Sequence, residues 1–181
     1  MKKNVIIFGL VSGIIITGMM MYSAIALYNG EHFEPNMVLG YAAMLAAFSF
    51  VFVGIRNYRN KYKGGVISFG KAFIAGLYIT LIAGTIYTGV WLVIHYMFMP
   101  DFMDRYVAFA LDNAAKNGAD SKELAVQARD MATYQELYKN PFWVVVFTYG
   151  EVLPVGLLVT LISAFVLKKR KQEGIESYVN G

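Results

Sequence analysis

The chain has 181 residues, 57% of them hydrophobic, and a formal net charge of +4. It holds no cysteine and two histidines, which excludes disulfides, thiolate nucleophiles and cysteine-held zinc or iron–sulfur clusters. No cofactor is expected. The basic residues flank long apolar runs, a distribution that points to a membrane rather than to nucleic acid.

Four stretches, 4–28, 36–55, 72–99 and 142–167, reach the ~20 apolar residues that a helix needs to cross a bilayer. The fold class expected is all-α: an integral membrane four-helix bundle forming one domain over 1–181. Lys2 and Lys3 precede the first stretch. A basic run followed by apolar residues and Ala24-Ile25-Ala26 also resembles a signal peptide. The apolar core is too long for one, so retention as an anchor is expected.

The segment between the first two stretches carries Glu31 and Glu34 and no Lys or Arg. Arg56, Arg59, Lys61, Lys63 and Lys71 lie between the second and third stretches. Lys168, Lys169, Arg170 and Lys171 follow the fourth. The positive-inside rule then places both termini and the middle loop in the cytoplasm. Trp91, Tyr96, Phe98, Phe142 and Trp143 mark the outer boundary, and Tyr58 and Tyr62 the inner one.

The long outer segment, 101–140, is expected to form a helical hairpin. Phe102, Tyr106, Phe109 and Ala110 recur at helical spacing, and Asn117-Gly118 reads as a stop. Asp120 with Glu123 reads as a capping box opening a second helix that runs to about Lys139, before Pro141. The hairpin is either a cap on the bundle or a docking surface for an envelope-related membrane protein.

Small residues recur every four positions at Gly76, Thr80, Gly84 and Thr88, and again at Gly156, Thr160 and Ala164. Gly9 and Gly13 form a GxxxG. Such stripes let helix backbones approach closely, within the bundle or between copies of the chain in a homo-oligomer.

Two motifs are set aside. Residues 65–71 match GxxxxGK, but Ala72 stands where a P-loop needs Ser or Thr for magnesium, and no strand precedes it. Ser68 and Lys71 match SxxK without the companion motifs of that chemistry. Ser68 is instead expected to cap the third span. Lys71, with Arg56, Arg59, Lys61 and Lys63, is expected to contact the phosphates of membrane lipids. A lipid-modifying enzyme at that cluster is disfavoured by the lack of His, Asp or Glu there. His95, near Trp91, is expected to be an interfacial structural residue.

Glu151 is an acid inside the fourth span. An ionised carboxylate there is costly, so it should face the bundle interior, find donors or be protonated. Thr85, Tyr87 and Thr88 are at its depth on the third span, and Pro154 should bend the helix or free a carbonyl. The group is either a packing feature or a proton or ligand site.

Several runs together carry a resemblance: Gly40-Tyr41, FVGIRNYR at 52–59, GGVISFGKAF at 64–73, Pro100-Asp101-Phe102, YKNP at 138–141 and EVLPVGLL at 151–158. The chain is similar to a bacterial family of four-pass membrane proteins of unknown function, largely from the Bacteroidota. The resemblance implies an inner-membrane location and carries no catalytic residues. Members look like neighbours of envelope-glycan enzymes. The leading expectation is a non-enzymatic accessory or scaffold protein of the envelope; the alternative is a small proton-coupled transporter using Glu151.

Overall fold

A computed structural model describes residues 1–29 and 37–169, with backbone alone for 37–39. Glu31, Glu34, Arg170 and Lys171 lie outside the described residues. The helices are α1 (Lys2–Tyr28), α2 (Met37–Tyr62), α3 (Phe69–Val93), α4 (Phe102–Lys116), α5 (Ser121–Tyr138) and α6 (Pro141–Leu167). Four helical segments, Lys2–Tyr28, Gly40–Tyr62, Phe69–Phe98 and Pro141–Leu167, are long and apolar enough to cross a membrane.

The spanning helices pack as a bundle in which α1 touches α2 and α3, α6 touches α2 and α3, and α2 meets α3 across the middle. Their directions follow from paired contacts. Gly9 faces Ile82 and Gly13 faces Ile86, so α1 and α3 run the same way. Phe48 meets Gly156 and Arg59 meets Leu167, so α2 and α6 also run together, opposite to the first pair. One end of the bundle therefore carries α4 and α5. The other carries the N-terminus, the α2–α3 loop and the end of α6.

The small-residue stripes interlock within the chain. A Cβ at Gly156 would lie 2.4 Å from Thr80 Cγ2, and one at Gly76 would lie 2.7 Å from Thr160 Cγ2. Only glycine lets α3 and α6 approach this closely. The Thr80 and Thr160 hydroxyls then share a hydrogen bond of 3.0 Å, and Thr80 also donates to the Gly156 carbonyl at 3.3 Å. Such interhelical bonds in a membrane contribute about 0.6–2 kcal/mol each. Phe48, Val51, Ile55, Ile79 and Val152 fill the centre with no exposed surface. Asn4, also buried, donates to the Gly54 carbonyl at 2.9 Å.

The structure changes several boundaries. α2 continues to Tyr62 rather than stopping at Ile55, so Arg56, Arg59 and Lys61 lie on a helix. Basic residues end an apolar count but are good helix formers. α3 begins at Phe69, and its last turn widens into a π-turn, Ile94–Phe98, closed by the Met99 N–H on the Ile94 carbonyl at 2.9 Å. Ser68 occupies the N-cap of α3, but its side chain makes no capping bond. α6 runs unbroken through Pro154.

Outside the bundle, α4 ends at Lys116 and Gly118 turns the chain at φ +91°. Asp120 accepts from the Lys122 and Glu123 amides at 2.8 and 2.7 Å, and Glu123 accepts from the Asp120 amide at 3.0 Å. That is the capping box the spacing called for. α4 and α5 lie against each other, joined by Gln135 Nε2 donating to Asp104 at 2.9 Å. Neither helix holds a fully buried residue.

Candidate functional site

Two regions hold the residues singled out in the sequence. At the hairpin end, the π-turn carries His95 into a buried aromatic cluster. Its ring lies 5.8 Å from Trp91, nearly parallel, and 5.6 Å from Tyr138, edge-on. Tyr138 in turn stacks on Phe147 at 5.8 Å, and Trp91 meets Phe102 edge-to-face at 4.8 Å. Edge-to-face and offset pairs of this kind contribute about 0.5–1.5 kcal/mol beyond area burial. The Tyr96 hydroxyl donates to the Tyr138 carbonyl at 3.2 Å. His95 Nδ1 is buried and makes no hydrogen bond to another described residue.

Arg105 fixes the other foot of the hairpin. It donates to the Tyr28 carbonyl at 2.9 Å, lies 4.3 Å over the Tyr28 ring and pairs with Asp101 at 2.8 Å. The Arg105 guanidinium beside Asp101, with help from the Tyr28 hydroxyl, holds that carboxyl below the usual carboxylate range.

Glu151 lies one helical turn below Phe147. It does not face the interior: it is exposed on the outward side of α6, beside exposed Gly150 and Pro154. No hydrogen bond or ion pair joins it to another described residue. Tyr87 is buried behind it. Burial pushes the Tyr138 phenol up to about 12, and Glu151, when ionised, adds to this, so the acid lies within electrostatic reach of the hairpin base. Thr85 is not its partner: that hydroxyl bonds the Tyr149 hydroxyl at 2.7 Å and the Leu81 carbonyl at 2.8 Å. Thr88 is buried with its hydroxyl unpaired among the described residues.

At the opposite end, Arg56, Lys61, Lys63 and Lys71 are exposed. Arg59 is half-buried and turned inward, donating to the Leu167 carbonyl at 3.3 Å and to Asn60 at 2.9 Å. Ile67 and Lys169 exchange two backbone hydrogen bonds, 3.1 and 2.9 Å, tying the α2–α3 loop to the end of α6. Beside this bridge is a cavity of about 560 Å³ lined by Ile67, Ser68, Phe69, Gly70 and Lys168.

Tyr138 and Tyr149 were not read from the sequence as site residues. A signal existed for Tyr138. Only Lys139 and Asn140 separate α5 from α6, which forces that residue against the start of α6.

The helices and their packing define a multi-pass membrane protein. A family model described as protein of unknown function (DUF4199) matches residues 6–169, and the chain belongs to that family. No curated protein and no solved structure matches it.

Proposed function

We propose that this is a non-enzymatic accessory or scaffold protein of the bacterial cell envelope, held in the inner membrane and presenting its hairpin to an envelope-related partner. The observation that carries this reading is a contrast in how surface is used. The interior between the spans is occupied by Phe48, Val51, Ile55, Ile79 and Val152. The hairpin is pinned at both feet yet leaves Tyr106, Val126 and Tyr134 exposed. Apolar side chains left exposed on a pinned projection suit docking more than transport.

Both termini are assigned to the cytoplasm, because the basic residues cluster at the end opposite the hairpin. The chain has no cysteine, so single cysteines test this cleanly. A membrane-impermeant maleimide should label Ser121→Cys in intact spheroplasts and Lys63→Cys only after lysis; the reverse pattern inverts the topology. A photo-crosslinking residue at Val126 should trap a discrete protein partner, while one at Ile14 on the apolar surface of α1 traps none. Adducts at neither position, or identical adducts at both, overturn the docking reading.

One observation favours a second reading, a small proton-coupled carrier: Glu151 is a carboxyl within a spanning helix and has no partner among the described residues. That reading requires Glu151→Gln to abolish a pH-driven flux in proteoliposomes without lowering thermal stability.

A further inference from the structure

All the glycines of the spanning helices except Gly84 fall into two kinds. A Cβ at Gly9, Gly13, Gly54, Gly76 or Gly156 would meet a neighbouring helix at 2.4–2.8 Å. These glycines serve the bundle. At Gly18, Gly40, Gly70, Gly89 and Gly150 an added Cβ would meet nothing within 4 Å, and of these Gly150 alone adjoins an acid. A glycine inside a helix lowers helix stability, and here no contact within the chain accounts for it.

Gly150 also begins a distinctive strip. Helical spacing places Gly150, Glu151, Pro154, Leu158, Leu161 and Phe165 on the outward side of α6, and all except Gly150 and Pro154 are large. All six are exposed. Pro154 has no N–H to give the Gly150 carbonyl, so that acceptor lacks its helical donor. An acid without a partner among the described residues and a carbonyl without its helical donor thus occupy consecutive exposed positions within a spanning helix. Hydrocarbon satisfies neither of them.

We propose that this strip is the contact between two copies of the chain, related by a twofold axis along the membrane normal, with Glu151 of each copy hydrogen-bonded to Glu151 of the other. Three points favour a second copy as the occupant. A twofold contact brings a residue near the axis against its own equivalent. A neutral carboxylic acid both donates and accepts, so it is its own complement. No Lys or Arg lies within 4–28, 36–55, 72–99 or 142–167, so a second copy can offer this acid no cation at its depth. Another acid, or the freed Gly150 carbonyl, is what remains for it to bond. Gly150 lets the two helices approach closely enough for the pair to form.

Leu158→Cys places the only thiol of the chain on the strip, and Ile14→Cys places one on the outward side of α1, where Ile14 is 67% exposed. Each full-length protein is reconstituted in liposomes and oxidised. The expected result is a disulfide dimer from Leu158→Cys and little from Ile14→Cys. Adding Glu151→Leu to Leu158→Cys should lower the dimer yield about tenfold, the scale of one polar pair between membrane helices. Glu151→Gln should preserve the dimer, because an amide is also self-complementary. Gly150→Leu serves as an independent variant: it has open space within the chain, so it should leave the thermal midpoint in detergent unchanged while reducing the dimer. Equal cross-linking at the two cysteines, or a Leu158→Cys dimer that survives both Glu151→Leu and Gly150→Leu, overturns the proposal.

Discussion

The bundle and the hairpin are both helical, yet they are stabilised in different ways. In the bundle, backbones approach over glycine, hydroxyls bond across helices and side chains such as Phe48 and Ile79 are wholly enclosed. The hairpin has no enclosed residue. It relies on a capping box, on i to i+4 pairs such as Lys116 with Asp112, and on two feet docked against the spans. Tight packing without tolerance belongs to the membrane part; local, exposed and individually weak interactions belong to the part outside. This difference leaves the hairpin free to vary its outward side chains without disturbing the spans.

The sharpest test of that contrast is a side chain added where the bundle has no room. Gly156→Leu must displace Thr80 and Phe48 together, and should cost about 3 kcal/mol or prevent folding. The thermal midpoint in detergent reads this directly. The same change at Gly118 disturbs only a turn.

Next in size is the joint between the two parts. Trp91→Leu removes the edge-to-face contact with Phe102 and the stack on His95, at a cost of about 2 kcal/mol. Limited proteolysis should then cut within 101–140 well before the spans are lost. If the hairpin stays protected, the joint is not where its attachment resides.

The joint should also respond to alkali. The Tyr138 phenol is raised to about 12, whereas an unfolded tyrosine ionises near 10. Below about 10 both states are protonated and the contribution is complete. As pH rises from there, the unfolded state loses its proton first, so stability falls until about 12. Phenolate absorbance and hairpin protease sensitivity should therefore rise together in that window. The smallest effect belongs to the hairpin alone: Asp120→Ala removes the α5 cap, for about 1 kcal/mol, and should speed amide exchange in the first turn of α5 only.

Much of the architecture was legible in the sequence, because a bilayer imposes a length that apolar runs must meet. The spans, the hairpin and the Asp120–Glu123 cap all follow from such local rules. The partners of the stripes do not. Spacing shows that Gly76 and Gly156 lie on small-residue faces, but only the packed helices show that these faces meet each other. The π-turn was hidden because hydropathy continues unchanged through Ile94–Phe98. The orientation of Glu151 was hidden for a related reason. α6 is apolar on every side, so no amphipathic pattern distinguishes inward from outward, and the three options of an interior position, nearby donors or a protonated acid rested on energetic cost alone. The Thr85 pairing failed on depth: shared depth with Glu151 did not make them neighbours, and Tyr149 holds that hydroxyl instead.

The two backbone bonds between Ile67 and Lys169 have a mechanical consequence. They join Lys169, two residues past the end of α6, to Ile67, two before the start of α3. Tension applied to the chain beyond Lys169 is thus shared by the starting turn of α3 before it can peel α6 from its end. The bridge thus couples the position of the α6 end to that of the α3 start.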